Sequence, residues 1–273
     1  MKVLISVDAE GLTGLTVGKQ TLPNYDDYKL AKSAMTDFCN SAAEGAFKGG
    51  ASEVTIVDSH DGNRNIWAKD LSKGIKLISG WPKELSMVEG VKDSDQLFFL
   101  GYHSMAGTRN GVLNHTYSAS VVHRLKYNGE EIGEIGINAC VAGLYGKPIS
   151  LVAGDRAAIN EAEKLLPNAE LVVLKEGLSR YAAKNESYSD SIERLSKAST
   201  KAIQNNGDIY RIEGKIELSL EFQNTGMADN CMLLPGTARK DGYTITMEAS
   251  DAVDAYRKFR LLVSLGSYEQ YGY

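Results

Sequence analysis

The opening stretch, Lys2 to Gly14, leaves little freedom in how the chain can start to fold. Val3, Leu4, Ile5 and Val7 make the apolar run that a strand buried on both faces of a parallel sheet requires, and the glycines that follow stop it. Asp8 and Glu10 therefore sit at a strand's carboxyl end. Residues two apart on an extended segment point the same way, and ligands of open α/β sheets bind beyond the carboxyl ends of their strands. Two convergent carboxylates there point to a cation site, the plainer alternative being an Asp that only caps the next helix.

The remaining pattern extends this into an α/β domain. After a Gly11–Gly18 loop, residues 25–49 carry Tyr28, Ala31, Met35, Phe38, Ala42 and Ala46 at helical spacing, and Gly49-Gly50 is a stop signal. Residues 53–58 read as a second buried strand, so strand, helix, strand forms a right-handed βαβ unit with a parallel sheet. Further strands are predicted at 76–79, 96–101, 149–153 and 171–174, and a hairpin at 121–132 turning on Asn128-Gly129. Helices are predicted from Glu134 to near Gly146, from Gly154-Asp155 to Leu166, and over 187–204. From about 207 the order changes to strands at 215–222 and 243–248 followed by a helix over 251–265. The expected architecture is a three-layer, mostly parallel sheet flanked by helices over 1–206, with a smaller α+β domain over 207–273. The tyrosine-bearing tail from Ser267 to Tyr273 reads as a subunit contact or a frayed end.

Composition narrows the partners. A net charge of −5, a pI near 5.5 and no Lys/Arg cluster interleaved with aromatics argue against nucleic acid. Cys39, Cys140 and Cys231 are odd in number and outside any Cys-x-x-Cys pattern, and they read as small buried residues in a reducing compartment. No apolar run reaches the length of a membrane span and no signal segment precedes the first strand, so a cytoplasmic protein without membrane partners is expected.

The chemistry concentrates at strand ends. The second strand delivers Asp58-Ser59-His60, the fourth Tyr102-His103, and all four histidines fall between positions 60 and 123. Imidazole and carboxylate donors without thiolates suit Zn²⁺, with Mn²⁺, Co²⁺ or Fe²⁺ as weaker candidates. Two metals about 3.5–4 Å apart sharing one carboxylate is a common hydrolase arrangement, and Asp8 is the candidate bridge. Ser59 beside His60 lacks the surroundings of a nucleophile elbow. The glycines at 11, 14 and 18 form no dinucleotide fingerprint.

Val7-Asp8-Ala9-Glu10-Gly11, Asp58-Ser59-His60, Gly101-Tyr102-His103, His115 and Gly133-Glu134-Ile135-Gly136-Ile137-Asn138-Ala139 closely resemble the DppA-type zinc D-aminopeptidases. The likeness continues through Val152–Ala158, Glu221-Phe222 and Leu234-Pro235-Gly236-Thr237, and so spans nearly the whole chain. The resemblance implies a zinc aminopeptidase with two metals per subunit, held by Asp8, Glu10, His60, His103 and Glu134, with His115 as a further catalytic residue. It also implies a ring-shaped homo-oligomer, a homodecamer, whose sites face an internal chamber that admits short peptides. D-alanyl peptides are the substrate class it implies. For the attack itself, a zinc-activated hydroxide is the more natural nucleophile, leaving His115 to polarise the carbonyl, stabilise the oxyanion or protonate the leaving amine.

In the loop between His103 and His115 the chain keeps the family's residues less closely. Arg109 suits a peptide carboxylate and Asn114 the substrate backbone, or both are solvated loop residues. His123, on a hairpin strand, reads as structural. Two rival functions remain at this point: a binuclear amidase or phosphoesterase on another small molecule, and a non-catalytic peptide-binding protein linked to peptide uptake.

Overall fold

The protein is described by a computed structural model covering residues 1–268. Along the chain run β1 (Lys2–Val7), α1 (Gly18–Thr21), α2 (Tyr28–Gly49), β2 (Glu53–Asp58), β3 (Ile75–Ile78), β4 (Gln96–Tyr102), β5 (Val122–Tyr127), β6 (Glu130–Glu131), α3 (Glu134–Leu144), β7 (Ile149–Asp155) and α4 (Arg156–Leu165). There follow β8 (Glu170–Ser179), β9 (Ala182–Asn185), α5 (Tyr188–Gln204), β10 (Ile216–Phe222), α6 (Thr225–Cys231), β11 (Thr237–Arg239), β12 (Thr244–Ala249) and α7 (Ala252–Gly266).

The central sheet has the order β3-β2-β1-β4-β7-β8-β9 and is parallel except for the β8–β9 pair. From β1 the chain runs outward through β2 to β3, then returns to β4 on the other side of β1. The carboxyl ends of β1 and β4 thus flank a topological switch point, where open α/β sheets bind their ligands.

Alternation along β1 sends its residues into two cores. Val3, Ile5 and Val7 pack under α2 and α5 with Met35, Phe38 and Ala42, all buried. Leu4 belongs to the opposite core, with Phe99, Ile135, Val141, Tyr256 and Phe259 from β4, α3 and α7. Burying a side chain such as Phe38 contributes about 1.5–3 kcal/mol, so the sheet ends rest on a stiff base. Helix α7 packs on α3 and on a second, wholly antiparallel sheet of order β11-β12-β10-β5-β6. That sheet takes strands from both sides of residue 207.

Two short elements, α6 and β11, carry too few apolar repeats to be read from sequence. The strand expected at 171–174 continues to Ser179 and folds back through β9. Its extension is polar and so hid the strand: Lys175 is buried, and its ammonium donates to the carbonyls of Glu10, Leu12 (2.8 Å) and Leu15. That contact staples the loop carrying Glu10 onto β8. Of the tail expected to be a subunit contact or frayed, residues 269–273 lie outside the described residues.

Candidate metal centre

The ends of β1 and β4 stay together beyond the ladder, through Asp8 N to Leu100 O and Gly11 N to Gly101 O, each 2.8 Å. This approach demands glycine at 101, because φ is +72° and a Cβ would lie 2.0 Å from the Asp8 carbonyl oxygen. Asp8 and His103 are thereby locked side by side, and the end of β2 brings in His60. All of Asp8, Glu10, His60, His103 and Glu134 are at most 6% exposed.

Each carboxylate oxygen of Asp8 faces a different imidazole: Oδ1 lies 3.1 Å from His60 Nδ1 and Oδ2 3.5 Å from His103 Nε2. Glu10 Oε2 is 3.2 Å from His60 Nδ1, and Glu134 Oε1 is 3.3 Å from His103 Nε2. Glu134 comes from the first turn of α3 and also accepts from Tyr117 N at 2.6 Å.

Main-chain carbonyls fix which nitrogen each ring turns inward. His60 Nε2 donates to Thr21 O (2.7 Å), His103 Nδ1 to Ser104 O (3.0 Å) and His115 Nδ1 to Leu113 O (2.8 Å). The opposite nitrogens are left for the centre, the support by which proteins orient metal-ligating histidines. Thr21, in the four-residue α1, is a contributor that no sequence signal marked. Asp58 and Ser59 are engaged in other contacts: Asp58 holds the following loop through Asn65 and Ile66 N, and Ser59, though it lines the cleft, bonds Ser6 and the Met87 carbonyl.

The electrostatics are those of carboxylates and imidazoles crowded together in a buried site. Burial and the Glu10 charge push Asp8 up to about 7. Glu10 is held well below its ordinary value, burial being outweighed by His60, and Glu134 is lowered by His103 against the pull of burial. His60 is pushed well up, its burial overcome by Glu10, and His103 rises to about 10 because Glu134 and its neighbours overcome burial. Glu10 Oε2 and His103 Nε2 are buried without a hydrogen-bond partner.

His115 reaches the centre on the β4–β5 loop. Its ring stacks on His103 with centroids 4.0 Å apart, and Nε2 is 3.9 Å from Glu134 Oε1. Burial and the charge on His103 lower its pKa, so this ring is neutral. The loop holds Asn110, Leu113 and Tyr117 at positive φ (60°, 53° and 66°), a strain of about 1–3 kcal/mol per residue that tends to be concentrated at functional sites.

A cleft of about 590 Å³ opens over these groups, lined among others by Thr21, Trp81, Met87, Tyr117, Arg180 and Tyr181. Arg109 is exposed and is not among the residues lining it, whereas Arg180, at the β8–β9 turn, is. Asn114 is buried and fully engaged, its amide donating to Thr108 O and its side-chain oxygen accepting from Arg180. His123 stands apart, half exposed and 3.8 Å from Glu221.

The donor set fits a zinc centre: ligand atoms of Asp8, Glu10 and His103 lie within 4.8 Å of one another, as do those of His103, His115 and Glu134. Distance alone thus leaves His115 among the possible donors. A centre of this kind at the floor of a cleft equips an α/β protein as a metallohydrolase. The chain belongs to the D-aminopeptidase family (peptidase M55), whose model matches residues 1–261. A D-aminopeptidase of Bacillus subtilis (strain 168) is 36% identical over 269 residues, 97% of each chain. The solved structure of a Zn-dependent D-aminopeptidase, DppA, from Bacillus subtilis, described as a self-compartmentalizing protease, superposes with a TM-score of 0.95 at 34% identity and full coverage of both chains.

Proposed function

We propose that this protein is a zinc-dependent aminopeptidase that removes the N-terminal residue of short D-amino-acid peptides, D-alanyl peptides in particular, with two zinc ions per subunit. The observation that carries the two-metal reading is the division of Asp8, one oxygen toward His60 and the other toward His103. Asp8, Glu10, His60, His103 and Glu134 would hold the two ions between them, with Asp8 shared. Zinc bound there supplies Lewis acidity and makes water a competent nucleophile near neutral pH.

His115 does the proton work. With Nδ1–H committed to Leu113 O and the ring neutral, Nε2 carries a lone pair toward the cleft. It accepts the proton of the attacking water and returns it to the leaving amine, the work of a general base that then acts as an acid. The Leu113 carbonyl then stabilises the transient imidazolium by holding its other N–H.

The same reading makes the protein a homo-oligomer enclosing its sites in a chamber, a ring of ten subunits; the self-compartmentalizing relative supports it, and sedimentation velocity would give the mass. A cytoplasmic location, suited to three buried free thiols, and the division of the chain at 206/207 belong to it as well. The deciding assay follows release of the N-terminal residue from matched D- and L-alanyl di- and tripeptides, with chelated protein and with protein reloaded with zinc. Zinc-dependent cleavage of the D-series is expected. Cleavage of the L-series alone replaces the specificity, and inactivity with two zinc ions verified per chain moves the function to another amide or ester.

A further inference from the structure

We propose that Arg180 seats the C-terminal carboxylate of the substrate, which makes di- and tripeptides with a free terminus the preferred class; the inference rests on the aminopeptidase reading above. Arg180 is the one Lys or Arg among the described residues lining the metal cleft, which also carries the acidic side chains of Asp8, Glu10, Asp61 and Glu134. It has no carboxylate partner of its own among the described residues. Nη1 donates to the Asn114 carbonyl (2.5 Å) and to its side-chain oxygen, Nε donates to Tyr181 Oη (3.1 Å), the guanidinium lies over the Tyr181 ring, and no hydrogen bond among the described residues engages Nη2. A guanidinium held by neutral acceptors keeps its full charge and a free donor edge, the arrangement that binds an incoming carboxylate.

Its place along the substrate follows from its anchorage. The Arg180 carbonyl accepts from Leu113 N at 2.8 Å, so main chain and side chain both pin it to the segment 113–114 that leads into His115. The β8–β9 hairpin presses on the same loop so tightly that a Cβ at Gly177 would lie 1.9 Å from the Asn110 carbonyl oxygen. Arg180 and His115 also line a neighbouring cavity of about 410 Å³, and so stand together at the boundary between the two spaces. An extended peptide advances roughly 3.3–3.6 Å per residue, so a carboxylate one or two residues beyond the bond handled at His115 comes within reach of Arg180.

The test compares zinc-loaded wild type, Arg180→Met and Arg180→Lys on D-alanyl-D-alanine and on its C-terminal amide, with KM and kcat measured separately. Wild type is expected to prefer the free acid. Arg180→Met should lower kcat/KM for the acid by on the order of 10- to 100-fold more than for the amide, mainly through KM. Arg180→Lys should restore part of the loss. Equal loss on acid and amide would show that Arg180 only braces the His115 loop, and equal use of both substrates by wild type would also overturn the proposal while leaving the aminopeptidase standing. Zinc-loaded wild type that cleaves neither substrate takes down the aminopeptidase reading, and this inference with it.

Discussion

Two regions meet at the centre and are built in opposite ways. Asp8, His60 and His103 each lie within two residues of the end of a buried parallel strand, where ladder hydrogen bonds and the glycine contact at 101 set their positions. His115 and Arg180 come from a loop and a hairpin tip, held by left-handed residues and by mutual hydrogen bonds between segments far apart in sequence. The sheet side fixes charges that must not move if a cation is to be held. The loop side carries the groups that would meet the substrate, on backbone that specific contacts alone keep in place.

If the sheet side holds metal, its loss should cost most. Asp8→Asn removes the charge shared between His60 and His103 and should abolish stoichiometric zinc and lower turnover on the order of 10⁴-fold, several kcal/mol of lost Lewis-acid stabilisation. Elemental analysis beside the peptidase assay decides it: a variant that keeps both metal and activity ends the bridging assignment. On the loop side, His115→Ala should lower kcat by about 10²- to 10³-fold with zinc content unchanged. Loss of zinc in that variant would instead make His115 a ligand, as its distance to His103 and Glu134 permits.

The contrast between rigid and adjustable support predicts a third, smaller effect. Gly101→Ala drives a Cβ into the Asp8 carbonyl at a positive φ, at a cost of about 2–4 kcal/mol, or roughly 5–15 °C in Tm. Zinc affinity should fall about 10- to 100-fold with it, because a displaced ligand costs about as much as a lost outer support. An unaltered Tm in a calorimetric scan would mean that the strand ends yield easily, and the distinction between the two regions would collapse.

The same contrast explains what the amino-acid sequence reveals. Buried parallel strands announce themselves as apolar runs, so Asp8, Glu10, His60 and His103 were visible as strand-end residues, and Glu134 as a helix start. The loop side has no such periodicity. Adjacency along the chain pointed to Arg109, which is exposed, whereas the cleft's guanidinium is Arg180, 66 residues from the Asn114 it bonds. Thr21 and Lys175 were equally hidden: Thr21 acts through its main-chain carbonyl, which any residue type can supply, and the Lys175 ammonium donates to carbonyls some 160 residues away that no sequence pattern marks. His115 was marked by family resemblance alone.

Proton release offers the finest test of the comparison. In the metal-free protein Asp8, raised to about 7, takes up a proton more readily than an ordinary carboxylate, and His103, raised to about 10, carries a proton. Zinc requires an ionised Asp8 and a neutral His103, so its uptake must expel protons, and affinity must rise with pH by about tenfold per unit for each proton released. Titration calorimetry of chelated protein, in buffers of different ionisation enthalpy, counts them. His115, its pKa lowered, has no proton to give near neutral pH, so His115→Ala should leave the count unchanged. A count that falls in His115→Ala would put the loop inside the cation site and erase the boundary between the region that holds charge and the region that meets substrate.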